Sequence, residues 1–232
     1  MEHRENFITG LSLIAEAIDE MAVLGLSRPV LVGGAAVELW TSSEVVTGDF
    51  DFVTENQAVF EEILQTKGFE KPGGIGILQR GLHHPELLIG IEVVSGRVFD
   101  GNVPDDRLVM VSFDTGSLVV ISVEDAIADR MGQYASHEAS NGEMLGQAIT
   151  LLRIATEIDR EYLDKRIRVE TLNSYGLKFL GESWRACASL PLRNWTTRSG
   201  NAKPNSALRG VLPRQPTLAG AAPIRSEHCC KS

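Results

Sequence analysis

The chain is poor in cysteine, in long apolar runs and, over most of its length, in positive charge. Each shortage removes a class of protein. Three cysteines occur in 232 residues, Cys187, Cys229 and Cys230. All lie late and two are adjacent, so no framework of paired cysteines can be built. Reduced thiols are expected, with a soft-metal site at Cys229 and Cys230 as the less favoured alternative. No stretch approaches the roughly 20 apolar residues of a membrane span. The charged segment from Met1 to Asn6 is followed by no apolar run with a small-residue cleavage site. A cytoplasmic location is therefore expected. No internal repeat is visible. Basic residues are concentrated at one end. From Arg185 onward eight Lys/Arg face one acid, Glu227, giving +7; with a total of −9, residues 1–184 carry −16. A body this acidic repels nucleic acid at long range, so a polynucleotide would need a local basic groove or the basic tail.

What is present is enough apolar residue, 43%, for a real core. The length fits one moderate domain with extras, or two small ones. Residues 4–24 place Phe7, Leu11, Ile14, Ile18 and Met21 at helical spacing. Gly25 and Pro29 end that helix. Pro29 to Val32 reads as a buried strand, Ala35 to Trp40 as a short helix, Val45 to Val53 as a strand and Glu55 to Lys67 as a helix. Gly73, Gly74 and Gly76 suggest a hairpin or loop, with Ile75 to Gln79 a candidate strand. Leu87 to Val94 is a firmer strand. Leu108 to Phe113 and Ser117 to Ile121 form a hairpin around Asp114, Thr115 and Gly116. Ser122 is a good N-cap, with Asp125 at the third helical position, and Val123 to Tyr134 follows as helix. Further helices are expected near 142–157, 159–173 and 182–190. The order gives an α+β fold, a mixed sheet with flanking helices followed by a small helical subdomain. The boundaries expected are 1–121 for the α/β core, 122–190 for the helical subdomain and 191–232 for a disordered basic tail.

Two aspartates in one strand need a reason. Alternate residues of a strand point to the same face, so Asp49 and Asp51 project together while Phe50 and Phe52 bury opposite. Aspartate is a poor strand former, and two unneutralised carboxylates resist desolvation. A divalent cation removes both penalties, and magnesium favours carboxylates, water and phosphates. Glu92 raises the same question within the apolar run Leu87 to Val94. If its strand lies beside that of Asp49 and Asp51, three carboxylates converge. Two metal ions, roughly 3.5–4 Å apart, can then clamp an in-line phosphoryl displacement. Gly33 and Gly34, at a strand-to-helix junction, let backbone approach a phosphate at a helix N-terminus. Taken singly these features are weak, since Gly-Gly, Asp-x-Asp and a strand glutamate more often mark loops, solvated turns and edge positions. Their order and spacing together are far more specific.

The run Leu31-Val32-Gly33-Gly34-Ala35-Ala36, then Thr47-Gly48-Asp49-Phe50-Asp51-Phe52-Val53, then Ile91-Glu92-Val93 resembles the nucleotidyltransferase superfamily that shares the DNA polymerase beta palm. His84-Pro85-Glu86-Leu87, Ile121-Ser122-Val123-Glu124-Asp125 and Asp129-Arg130 extend the resemblance to a bacterial and archaeal group of small nucleotidyltransferase-like proteins, many similar to toxin–antitoxin enzymes. It covers roughly residues 10–165. The resemblance implies that Asp49 and Asp51 hold two magnesium ions, and that Glu92 completes the inner metal site and helps deprotonate the attacking hydroxyl. It implies that Gly33 and Gly34 cradle the triphosphate. Arg130 either reaches the triphosphate from the helical subdomain or is an interdomain ion-pair partner or a surface charge. Ala35 stands where a phosphate-binding serine can occur, and the interval from Gly34 to Asp49 is slightly long. Tyr134 stacks on a base or joins the core. His83, His84 and Arg80 touch phosphate or are solvated. The activity expected is transfer of a nucleoside monophosphate from a nucleoside triphosphate to a hydroxyl of transfer RNA, protein or a small molecule, with a toxin–antitoxin partner protein possible. A nucleotide-binding regulatory module and a metal-dependent phosphohydrolase are the rivals.

Overall fold

A computed structural model describes residues 3–71, 81–136 and 142–188. The glycine stretch at Gly73, Gly74 and Gly76, the strand expected from Ile75 to Gln79, Arg80, the tail from 191 and Cys229 and Cys230 lie outside the described residues. The elements run α1 (Glu5–Val23), β1 (Val30–Val32), α2 (Gly33–Trp40), β2 (Asp49–Val53), α3 (Gln57–Thr66), β3 (Leu82–His84) and β4 (Ile89–Ser95). Two short 3-10 turns follow, then β5 (Val109–Phe113), β6 (Gly116–Val120), α4 (Val123–Ser136), α5 (Gly142–Ile154), α6 (Arg160–Glu170) and α7 (Leu177–Ala188).

Among the described residues six strands form one mixed sheet in the order β3-β4-β2-β1-β6-β5. β1 runs antiparallel to β2 and parallel to β6; β2 and β4 run parallel. The expected alternation in β2 is present. Phe50 and Phe52 are fully buried, Phe50 edge-on to Phe7 of α1 and Phe52 edge-on to Phe60 of α3, with ring centroids 5.2 Å apart in both pairs. Burying each ring contributes roughly 2–3 kcal/mol, which fixes which way the strand faces. The aspartates therefore point to the opposite face. One contiguous apolar core runs from α1 and the sheet into Ile127, Met131, Leu151 and Leu163 of the later helices.

Several boundaries differ from the sequence reading. The strand expected from Leu87 begins at Ile89, because residues 85–88 are a turn with Leu88 at φ +55° and 82% exposed. That turn joins β4 to β3, which the sequence reading missed. The strand expected from Val45 begins at Asp49, and α2 begins at Gly33 rather than Ala35. α7 starts at Leu177, ahead of the expected Glu182, because Leu177 N–H is capped from a distance by Asp164 Oδ1 at 2.8 Å. The cap at α4 is as expected: Ser122 Oγ accepts from Asp125 N–H at 3.0 Å and donates to Asp125 Oδ2 at 2.7 Å. Ser122→Ala should lower stability by about 1 kcal/mol in urea denaturation.

Candidate active site

Pairing of β2 with β4 brings the acids together. Asp51 is the register partner of Glu92, and Asp49 that of Gly90. All three carboxylate-bearing residues thus share one face of adjacent strands. Asp49 is exposed, while Asp51 and Glu92 are half-buried. Two glycines make room for the carboxylates. A Cβ on Gly33 would collide with Asp51 Oδ2, and a Cβ on Gly90 with Asp49 Oδ1. Gly33 also sits at φ +63°, a conformation that disfavours side chains. A Cβ on Gly34 would meet Thr47 Oγ1 at 2.7 Å. The glycine pair at this strand-to-helix junction therefore serves close packing against Asp51 and Thr47. Gly33→Ala should displace the Asp51 carboxylate and depress any metal-dependent activity far more than it lowers the melting temperature, as parallel rate and thermal-melt measurements would show.

α4 and α5 cover this face and leave a cleft of about 470 Å³. Thr47, Asp49, Asp51 and Glu92 line its floor; Arg130, Gln133, Met144 and Gln147 line its roof. A second cavity of about 310 Å³ opens beside Asp51 towards Ser95, Phe99, Asp100 and Asp129, and shares Arg130 and Gln133 with the first. The Asp51 carboxyl is pushed up to about 6, chiefly by burial, then by Glu92, with Asp49 and Asp129 adding and Arg130 opposing. Its ionised form is thus short of compensating positive charge, the condition a bound cation relieves. The donor set is all carboxylate oxygen, which suits a hard divalent cation such as magnesium. The three acids are aligned on one face without being drawn into one coordination shell, for no group of three His, Cys, Asp or Glu among the described residues is gathered closely enough to hold an ion.

Arg130 pairs within its own helix, with the neighbouring Asp129, and not across to the α/β core. It is buried, with Nε donating to Asp129 Oδ2 at 3.0 Å and Nη2 to the same oxygen, and Nη1 donating to Gln147 Oε1 at 3.3 Å. It also lines both cavities. Tyr134 is away from the cleft, packed against Tyr175 and Phe179 of the α7 region with centroids 5.6 and 6.2 Å away. His84 turns its ring edge-on to Phe69, while His83 is the register partner of Gly90. Neither histidine lines the cleft.

A solved structure with the same architecture is a nucleotidyltransferase-like protein from Paracoccidioides brasiliensis, described as antigenic. It superposes with a TM-score of 0.51 and 16% identity over 80% of this chain and 94% of that one. The chain has the nucleotidyltransferase fold. Looser similarity, which adds nothing to that assignment, extends to two other structures. One is the antibiotic-resistance factor ANT(2'')-Ia, with TM-score 0.43, 14% identity and coverage of 78% of this chain and 98% of that chain. The other is a lincomycin-bound lincosamide antibiotic adenylyltransferase, with TM-score 0.41, 15% identity and coverage of 67% and 100%. No family model matches the chain, and no curated protein does. Among the described residues no helix is long and apolar enough to cross a membrane.

Besides Gln133, Met144 and Gln147, the sequence missed Glu38. This glutamate of α2 is fully buried beneath the cleft wall. Its partner Arg4 lies 34 residues away, so no local pattern marks it.

Proposed function

We propose that the protein is a magnesium-dependent nucleotidyltransferase that moves a nucleoside monophosphate from a nucleoside triphosphate to a hydroxyl acceptor and releases pyrophosphate. The observation that carries this reading is the register of β2 on β4, which sets Glu92 beside Asp51 on the face that also bears Asp49. In this reading Asp49, Asp51 and Glu92 hold two magnesium ions. When bound, the ions would supply charge neutralisation for the phosphates and for the developing negative charge of the displacement. The acceptor oxygen forms a bond to the α-phosphorus while the bond to the bridging oxygen of pyrophosphate breaks and takes its electron pair with the leaving group. Glu92 accepts the hydroxyl proton. Gly33 and Gly34, at the start of α2, offer backbone amides to the triphosphate. Arg130, held rigid by Asp129, presents fixed positive charge to the phosphates from above.

The acceptor is a hydroxyl on a transfer RNA, a protein or a small molecule. The charge of −16 on residues 1–184 favours the last two. A toxin–antitoxin setting with a partner protein rests on the sequence resemblance alone. Incubating the full chain with each α-labelled triphosphate, magnesium and fractionated cell extract should label one fraction; release of labelled monophosphate to water alone would identify a hydrolase instead.

One observation favours a second reading, a nucleotide-binding module without turnover. Arg130, the basic residue lining the main cleft, is already committed to Asp129. Calorimetry with magnesium and each triphosphate separates the two, since tight binding without transfer to any acceptor supports the module.

A further inference from the structure

The segment that makes the interval from Gly34 to Asp49 long is held by a buried carboxylate. Residues 41–48 leave α2 through Ser42 and Ser43, both in the left-handed region at φ +50° and +60°. Such backbone persists only when its surroundings hold it there. Glu38 does the holding. Its Oε1 accepts from Arg4 Nε and from Ser43 Oγ, both at 2.8 Å. Its Oε2 accepts from Arg4 Nη2 at 2.8 Å and from Thr47 N–H at 2.7 Å. Arg4 Nη2 also donates to Thr47 O at 2.7 Å, and Arg4 N–H donates to Ser43 Oγ at 3.2 Å. Thr47 is thus gripped at both its N–H and its C=O. It is two residues before Asp49, donates its hydroxyl to Asp49 O at 3.3 Å, and lines the cleft.

We infer that Glu38 and Arg4 are positioning residues: they fix Thr47, and through it the place of Asp49, for binding metal and nucleotide. The inference rests on the function proposed above. It assigns to the start of α1, far from the sheet's carboxylates in sequence, a part in shaping the site. A surface ion pair would not need it, but Glu38 is fully buried and every acceptor direction it has is used. Supports of this kind act on affinity because a ligand held loosely is a ligand misplaced.

Two variants of the full chain test this. Arg4→Lys keeps the charge but loses the planar fork whose two nitrogens serve both Glu38 oxygens and Thr47 O together. Glu38→Gln keeps the shape but turns an amide NH2, itself a donor, towards donors. Asp164→Ala is the control. It removes an ion pair to Arg168 and the cap on α7, away from the cleft, and destabilises without touching the loop. Binding of Mn2+ is followed by electron paramagnetic resonance in the presence of the α,β-methylene analogue of each ribonucleoside triphosphate in turn, well below each melting temperature. Both loop variants should bind Mn2+ about ten-fold more weakly or worse, with the control unchanged. If the loop variants melt lower yet bind Mn2+ as the wild type does, Glu38 and Arg4 are structural only and the inference is wrong. If Glu38→Gln does not fold, Arg4→Lys alone decides, because Arg4 is a third exposed and its replacement buries no new charge. A wild type that takes up no Mn2+ with any analogue defeats the proposed function itself, and this inference with it.

Discussion

Asp51→Asn is expected to abolish nucleotide transfer while raising the melting temperature of the metal-free protein at pH 7.5. The two effects have one origin. The Asp51 carboxyl is pushed from 3.8 up to about 6, first by burial and then by Glu92, so ionising it costs the folded state more than the unfolded one. That cost is absent below the unfolded value, grows as pH rises from near 4 to near 6, and is complete above. Asparagine removes it. At pH 7.5 the gain, discounted for solvent screening, is on the order of 1 kcal/mol, or a few degrees for a chain of this size. At pH 4.5 the wild-type carboxyl is already protonated in the fold and the variant should gain little. Magnesium should reverse the ranking by stabilising the wild type more than the variant. Transfer should fall by at least about 10³-fold, the scale of losing several kcal/mol of charge stabilisation. Thermal melts across pH, with and without magnesium, beside a labelled-transfer assay, read all of this. A variant that transfers normally removes Asp51 from the chemistry.

Asp125→Ala should produce the largest loss of stability. Asp125 is fully buried and accepts from Ser122 Oγ at 2.7 Å, from Tyr162 OH at 3.0 Å and from Arg166 Nε at 2.7 Å. Arg166 in turn donates to Glu170 Oε1 at 2.7 Å and lies over the Phe99 ring at 5.1 Å. This network ties α4 to α6 and to the turn after β4. Removing the carboxylate leaves a buried guanidinium half-paired and the Ser122 hydroxyl without its acceptor, while the Ser122 cap on the N–H of residue 125 stays. The expected cost is about 3–5 kcal/mol, a large part of the roughly 5–15 kcal/mol that holds a domain together. The double change Asp125→Ala with Arg166→Met should recover part of that loss, because the buried guanidinium is gone and only the half-buried Glu170 loses its partner. Urea denaturation with an unchanged slope checks both. A single variant within about 0.5 kcal/mol of wild type would show that water or relaxation already compensates the charge.

The sequence made some parts of this legible and hid others, for physical reasons. The two faces of β2 were readable because Asp49, Phe50, Asp51 and Phe52 alternate polar with aromatic, a pattern with period two. The N-cap of α4 was readable because Ser122 and Asp125 are three residues apart. The register of β2 on β4 was not, since Asp51 and Glu92 are 41 positions apart and nothing local fixes strand pairing. Val45 and Val46 are β-branched and read as strand, yet Glu38 pulls that segment into a loop. Leu87 and Leu88 read as strand, yet Pro85 opens a turn that places Leu88 outside. The start of α7 was hidden because its cap, Asp164, belongs to another helix. The use of Gly33 to admit Asp51 was legible only as a need for close approach; what approaches became visible in the fold.

Diffraction at the manganese absorption edge, from crystals grown with Mn2+ and a non-hydrolysable triphosphate, would locate the metal directly. Anomalous peaks are expected beside the oxygens of Asp49, Asp51 and Glu92, with the triphosphate reaching towards the first turn of α2. Ordered nucleotide with no peak beside those oxygens, or with Glu92 turned out of the shell, would contradict the proposed metal site.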